Sequence, residues 1–443
     1  MKLNYRRTFL VGLAFLSIQA FWQMYDGVIP KILTGTFDIS ETLSGTIMAM
    51  DNVLALFLLP FFGALSDRCH SRIGRRMPFI VGGTLAAIAL MMTLPLMDNS
   101  YAATPANWKL IVFIVLLGLL LIAMGIYRSP AVALMPDVTP KPLRSQGNAV
   151  INLMGAAGGI LYLLTSSVLY SNKRIGHSTH VNYFTLFAIV AGIMLVSVLV
   201  LFLTIRENKL TKEAAQYDST EAEISATTPQ KASAHLSPAV RRSLIFILCS
   251  VALWYIGYNG ITTWFTVFAE AQWGMVLGDA NMCLTIATAG AIISYIPIGL
   301  ISGKIGRKKT ILIGCAVLAA CFGAAFAYSL LADSFSPILY AVFVLIGFAW
   351  AAINVNSLPM VVEMCHLSDV GKFTGYYYTF SMAAQIVTPI AAGALIEHVS
   401  YNILFLYSTL FVVASFVTML FVKHGDVVTA KKNTLLENFD VED

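Results

Sequence analysis

Stretches of roughly twenty mainly apolar residues follow one another along this chain. They lie at about 8–30, 42–65, 78–97, 108–134, 148–169, 182–204, 243–268, 280–302, 310–331, 337–360, 373–396 and 401–423. A bilayer core of about 30 Å needs a helix of about twenty residues, so each stretch predicts one membrane-spanning helix. Polar breaks separate them, among them Asp98-Asn99-Ser100, Ser171-Asn172-Lys173-Arg174, Gly278-Asp279 and Ala332-Asp333-Ser334. No alternating pattern of about ten residues recurs, which excludes a membrane barrel. The first stretch follows Lys2, Arg6 and Arg7, and Trp22, Gln23, Tyr25 and Asp26 stand where a cleavage site would need small residues. It reads as a retained span and not as a signal peptide.

Composition sharpens this picture. Of the 443 residues, 58% are hydrophobic and 12% charged, about half the charge of a soluble domain. Lipid must solvate the surplus. The basic residues then set the orientation. With both termini cytoplasmic, 23 of the 28 Lys and Arg fall in cytoplasmic segments. Lys31, Lys109, Lys173 and Arg174 fall outside, and Arg128 lies within a span. Basic residues are retained on the cytoplasmic side, so an even span count in a cell inner (plasma) membrane is expected. The net charge of +5 is explained by these loops and calls for no nucleic-acid partner. Six scattered cysteines, Cys69, Cys249, Cys283, Cys315, Cys321 and Cys365, lack metal-site spacing and read as small core residues. No phosphate-binding loop, metal cluster or hydrolase motif occurs, so neither a cofactor nor enzymatic activity is expected.

Residues 205–242 form one long polar stretch resembling a flexible linker. The expected organisation is an N-terminal six-helix bundle (1–204), a cytoplasmic linker (205–242), a C-terminal six-helix bundle (243–424) and a cytoplasmic tail (425–443). Internal repetition supports it. Gly63 with Asp67-Arg68 and Gly74-Arg75-Arg76 follows the second span, and Gly299 with Lys304 and Gly306-Arg307-Lys308-Lys309 follows the eighth. Asp137 before Arg144 and Gly147 is echoed by Glu363 before Lys372 and Gly375. Asp67 facing Arg72–Arg76 suggests a charge-assisted latch present in one state of the bundle. Gly303 occupies the second copy's acid position, so the latch is expected to be asymmetric.

These loop motifs, over essentially the full length, resemble the major facilitator superfamily. Cys69–Arg72 ahead of Gly74-Arg75-Arg76-Met77-Pro78-Phe79, and Pro130-Ala-Val-Ala-Leu134-Met-Pro-Asp137 with Asn148-Ala149, are similar to sugar:cation symporters. These are the plant-type sucrose transporters and the glycoside–pentoside–hexuronide group. The resemblance implies an all-α polytopic membrane protein with twelve helices in two pseudo-symmetric six-helix bundles. Two departures qualify it. Val132 stands where sucrose transporters usually have arginine, and Ala55 and Leu59 stand where the melibiose permease type places acids before Pro60. The second departure favours proton over sodium coupling.

An ionisable side chain inside a span is costly, so it is a functional candidate. Gln19, Trp22, Gln23 and Asp26 share one face of the first helix, Asp51 lies at mid-depth of the second with Asn52 beside it, and Arg128 lies in the fourth. Asp26, Asp51 and Arg128 are the expected cation-coupling set; structural ion pairing is the alternative for Asp51, an interfacial position for Asp26 and snorkelling for Arg128. The expected substrate-binding set is Gln19, Trp22, Gln23, Asn52, Asn152, Trp254, Tyr255, Tyr258, Asn259, Trp350, Asn354, Tyr378 and Gln385. Sugars stack C–H faces on aromatic rings and pair hydroxyls with amides. Interfacial aromatic belts and amide helix contacts are the competing explanations. Asp67, Arg68, Gly74, Arg75, Arg76, Asp137, Arg144, Lys304, Arg307 and Glu363 are expected to form gating loops. Gly155, Gly158 and Gly159 read as close-packing positions.

The expected function is import of a glycoside or oligosaccharide by cation symport, with the sugar, the cation and membrane lipid as partners and a single chain as the working unit. An exporter of amphipathic compounds and a membrane sensor without net transport are the alternatives.

Overall fold

The computed structural model describes residues 3–140, 143–171, 180–225, 237–364 and 370–426, with side chains at 145–146, 217–225 and 370–372 left aside. Among them the helices are α1 (Tyr5–Lys31), α2 (Glu41–Asp67), α3 (Met77–Ala103), α4 (Asn107–Val138), α5 (Arg144–Leu169) and α6 (Phe184–Thr204). There follow α7 (Glu207–Ser225), α8 (Pro238–Trp273), α9 (Leu277–Ile305), α10 (Arg307–Leu331), α11 (Leu339–Val362), α12 (Val370–His398) and α13 (Ile403–Leu420). All except α7 are long and apolar enough to cross a membrane, giving 12 spans.

Local chemistry sets the helix ends. Ser40 and Ser237 cap α2 and α8 by accepting from Leu43 N–H and Val240 N–H, satisfying donors that have no partner inside the helix. Gly274, at φ +61°, ends α8 in the left-handed conformation that glycine adopts without steric cost. Pro30 near the end of α1 precedes a π-helical turn, Ile32–Thr36.

Two expectations need correction. Asp98-Asn99-Ser100 is not a break. The helix α3 runs on to Ala103 because Asp98 is buried within the bundle and not solvated. Residues 205–242 are not a flexible linker throughout. Residues 207–225 form α7, held against the first six helices because Glu207 is buried and accepts backbone N–H bonds from Arg75, Arg76 and Met77 at 2.9–3.0 Å. Cys365 lies outside the described residues; Cys283, Cys315 and Cys321 are buried, as expected of core positions.

Two apolar clusters hold the molecule together. One draws on α1–α6 with Leu210 of α7 and Leu277 of α9, the other on α8–α13. Within the first, α1 and α5 touch backbone to backbone. A Cβ at Gly158 would lie 1.9 Å from the Leu16 carbonyl oxygen. This agrees with close packing, which lets helices associate in lipid without a hydrophobic driving force. Gly158→Ala is expected to cost about 1–3 kcal/mol, the usual range for overpacking. An unchanged unfolding temperature in detergent would show that α5 has room to spare.

Because the described spans are even in number, the start of α1 and the end of α13 lie at one end of the bundle, here called the terminal face, opposite the distal face.

Candidate functional site

Polar contacts between α1–α6 and α8–α13 gather at the distal face. Lys31, its side chain 4% exposed, pairs with Glu270 at 2.7 Å. Thr266 donates to the Gly27 carbonyl at 3.1 Å, and Asn281 donates to Ser166 at 2.7 Å. The contacts repeat with pseudo-symmetry. Glu397, at the end of α12, accepts from Thr42 N–H at the start of α2, while the Tyr170 carbonyl, just beyond α5, accepts from Gly278 N–H in α9. Each pairing sets an acceptor against the positive end of a helix dipole. Tyr401 donates to Glu41 at 2.5 Å. Burial and the Glu41 carboxylate hold the Tyr401 hydroxyl well above its usual range, so it remains a donor. Towards the terminal face the cover thins. There α2 and α9 are the least buried spans, with Phe57, Phe61 and Leu300 exposed by about 60% or more.

Beneath the seal lie the intramembrane charges. Arg128 interacts with Asp51, and Asp51 with Asp26, so α1, α2 and α4 bring their ionisable groups to one region. The Arg128 guanidinium lies 5.6 Å from the Trp22 ring, a cation–π distance. Asp51 accepts from its neighbour Asn52, from the backbone N–H at 2.5 Å and from the side-chain amide at 2.7 Å. Gln19 and Gln23 lie over Gly155 and Gly159 of α5, and Asn152 is half-buried on the same helix. Asp26 belongs to this region, since it also acts electrostatically on Tyr162 of α5.

The second half gathers its aromatic residues. Tyr258 stacks on Trp350 at 3.7 Å and 8°, and Tyr255 meets the same indole edge-on at 5.5 Å. Tyr377 lies 5.6 Å from Tyr378 and hydrogen-bonds Ser357 at 2.9 Å. These rings link α8, α11 and α12. Gln385 lies one turn beyond Ser381 on α12, at the limit of hydrogen bonding to its carbonyl, and Asn354 is buried. Trp254 must be removed from the expected binding set. It is fully buried inside the apolar cluster, because its position faces the neighbouring helices. Trp22 Nε1 and Asn259 Nδ2 are buried donors without a hydrogen-bond partner, as are others elsewhere such as Tyr162 and Trp273; what sets these two apart is their place beside the central charges and the stacked rings.

The loop motifs also come together. Arg76 pairs with Asp67 and, at 2.9 Å, with Asp137; Arg75 reaches Asp137 at 2.7 Å. Gly74 has φ +125°, and a Cβ there would strike Glu207. Arg144 donates to the Thr139 carbonyl at 3.2 Å, whereas Arg68 and Lys304 are exposed. The backbone carbonyl of Arg72 accepts from Asn208 Nδ2. In the second copy Arg307 pairs with Glu363, and Asp426 accepts from Lys308 N–H at 3.2 Å beside Gly306, φ +94°. The acid missing at Gly303 is thus supplied from α11 and from beyond α13. Glu207 and Asp426 were invisible as partners because neither belongs to a repeated loop motif. Lys31 and Glu270 left a fainter signal, a charge near the end of the first helix of each half.

The family model for the Major Facilitator Superfamily matches residues 11–278 and 269–438. The chain belongs to the Major Facilitator Superfamily. It is a multi-pass membrane transporter and not an enzyme. Sucrose transport protein SUC3 of Arabidopsis thaliana is 33% identical over 138 residues, covering 28% of this chain and 23% of that protein. Proton-associated sugar transporter A of Mus musculus is 26% identical over 145 residues, covering 32% and 19%. Both matches span about a quarter or less of those relatives. Among solved Major Facilitator structures, the inward-open xylose transporter XylE from E. coli superposes with TM-score 0.67 at 15% identity, covering 98% of each chain. A bacterial homologue of the iron transporter ferroportin, inward-facing, gives 0.68 at 11%, covering 95% and 99%. These likenesses concern the fold.

Proposed function

We propose that this chain imports a glycoside or oligosaccharide together with a proton, by alternating access between two six-helix halves. The observation that carries the reading is the pairing of a stacked Tyr258–Trp350 platform with the unpartnered donors Asn259 Nδ2 and Trp22 Nε1. Rings take sugar C–H faces, and buried donors without protein acceptors take hydroxyl oxygens. The Asp51–Arg128 group then serves coupling. A carboxylate can accept a proton, while arginine stays charged and acts as its counter-ion. Names of relatives that carry sucrose, or sugar with protons, support the same cargo class. With the basic loops facing the cytoplasm of the inner (plasma) membrane, the distal face is external and this conformation opens inward.

Right-side-out vesicles given a panel of glycosides are expected to alkalinise their medium with at least one of them. Silence of every glycoside, with neither proton nor sodium movement, would overturn the proposal. The exposed Phe57 and Phe61 at the parted end favour one rival, export of amphipathic compounds. Accumulation of such compounds in everted vesicles would select it.

A further inference from the structure

A second group of titratable side chains lies at the distal face, apart from the central charges. Asp98, in the last turns of α3, is 0% exposed, and neither carboxylate oxygen has a hydrogen-bond donor within normal geometry. His180 lies on the segment leading into α6, with Nε2 3.8 Å from Asp98 Oδ2 and a side chain 26% exposed. The same nitrogen lies 2.8 Å from Asn99 Oδ1. That oxygen only accepts, so Nε2 carries a proton and the imidazole is oriented. Asn99 in turn donates to Asn182 Oδ1 at 2.9 Å, and that oxygen also accepts from Phe184 N–H at the start of α6. One chain of contacts therefore runs from the end of α3, through His180, to the first turn of α6.

Among the described residues, the surroundings leave Asp98 short of positive charge. From the turn after α1, Thr36 offers a hydroxyl, and from the approach to α6 Tyr183 offers a buried phenol. Lys109 of α4 is turned away, its ammonium held by the carbonyls of Ser100 and Thr104 and by the Thr104 hydroxyl. Glu270 of α8, which acts on Tyr183 from the far side, adds negative charge and is itself paired with Lys31. Tyr170 donates to the Asn182 carbonyl and is neutral. Among the described residues, His180 is the group that is partly exposed and also reaches the buried carboxylate.

We infer that Asp98 and His180 form a proton-operated clasp, which takes a proton from the medium at the distal face and fastens the segment entering α6 to the end of α3. Proton binding at Nδ1 leaves the Nε2–H donor in place and turns the imidazole into the counter-ion of Asp98. No bond other than N–H is made. The clasp is distinct from the Asp26–Asp51–Arg128 group and stands whether or not the transported solute is a sugar.

A cation formed beside a buried carboxylate is a favourable partner, so acidification is expected to add stability and not to remove it. The test uses the full chain in detergent at pH 8 and pH 6, reading the unfolding temperature and exchange of the Phe184 amide, corrected for intrinsic rates. On acidification the wild type is expected to gain roughly 2–4 °C and to protect Phe184. His180→Gln keeps a donor to Asn99 but cannot be charged, and should lose both responses. Asp98→Asn preserves shape and should lose them as well, giving a second variant if the first does not fold. An Asp51→Asn chain should retain both. Wild-type responses in His180→Gln, or their loss in Asp98→Asn alone, would overturn the clasp; the latter would make Asp98 itself the proton acceptor.

Discussion

On the proposed reading of sugar import with a proton, Asp51→Asn is expected to abolish uphill accumulation of the solute while leaving exchange of labelled for unlabelled solute intact. The variant keeps the shape of the side chain and an acceptor for Asn52, but it cannot exchange a proton. A membrane potential of 100 mV is worth about 2.3 kcal/mol per charge moved. At 1.4 kcal/mol per tenfold, coupling to one proton supports roughly 50-fold accumulation, and an uncoupled carrier supports none. Uptake into energised vesicles, with and without an uncoupler, measures this directly. Accumulation by Asp51→Asn that still collapses with uncoupler would remove Asp51 from the coupling step. The position is favoured over Asp26 because Asp51 interacts with Arg128 as well as Asp26, and a titrating acid needs a fixed counter-charge to return its proton.

The second large effect is expected at the seal. A Cβ on Gly45 would lie 2.1 Å from the Pro389 carbonyl oxygen, backbone against backbone. No side chain can turn aside to relieve that contact. Gly45→Val therefore penalises the conformation in which α2 and α12 touch, and spares any conformation in which they part. An overpacking cost of about 1–3 kcal/mol shifts such an equilibrium by roughly 5–150-fold. A cysteine placed at Thr262, one turn of α8 beneath the Thr266 contact, should become labelled from the distal side, and net transport should fall in proportion. Labelling no faster than in the parent chain would mean that the helices do not separate there.

The spans were legible because lipid imposes one simple demand, a length of apolar helix, on every crossing. The basic loops were legible for a related reason, since their sign carries the topology. Partners at helix ends were not. Glu207 sits in a polar stretch where most acids are solvated, and nothing in its neighbours signals that it turns back to three N–H groups at the entry to α3. Asp98 reads as part of a loop because isolated acids near a span end usually mark one. Only packing shows that it is enclosed. The aromatic set divides for the same reason. Tyr258 and Trp350 keep some exposed surface while Trp254 has none. A sequence holds the period of a helix but not which of its faces meets a neighbour.

The docking of α7 fixes the length of the tether between the halves. Counted from the end of α6, the connection spans the whole polar stretch and would permit wide excursions. With α7 held by Glu207 and Asn208, it travels with the first half, so freeing it by Glu207→Ala should lengthen the effective tether and let the terminal face gape wider before anything at the binding site is altered.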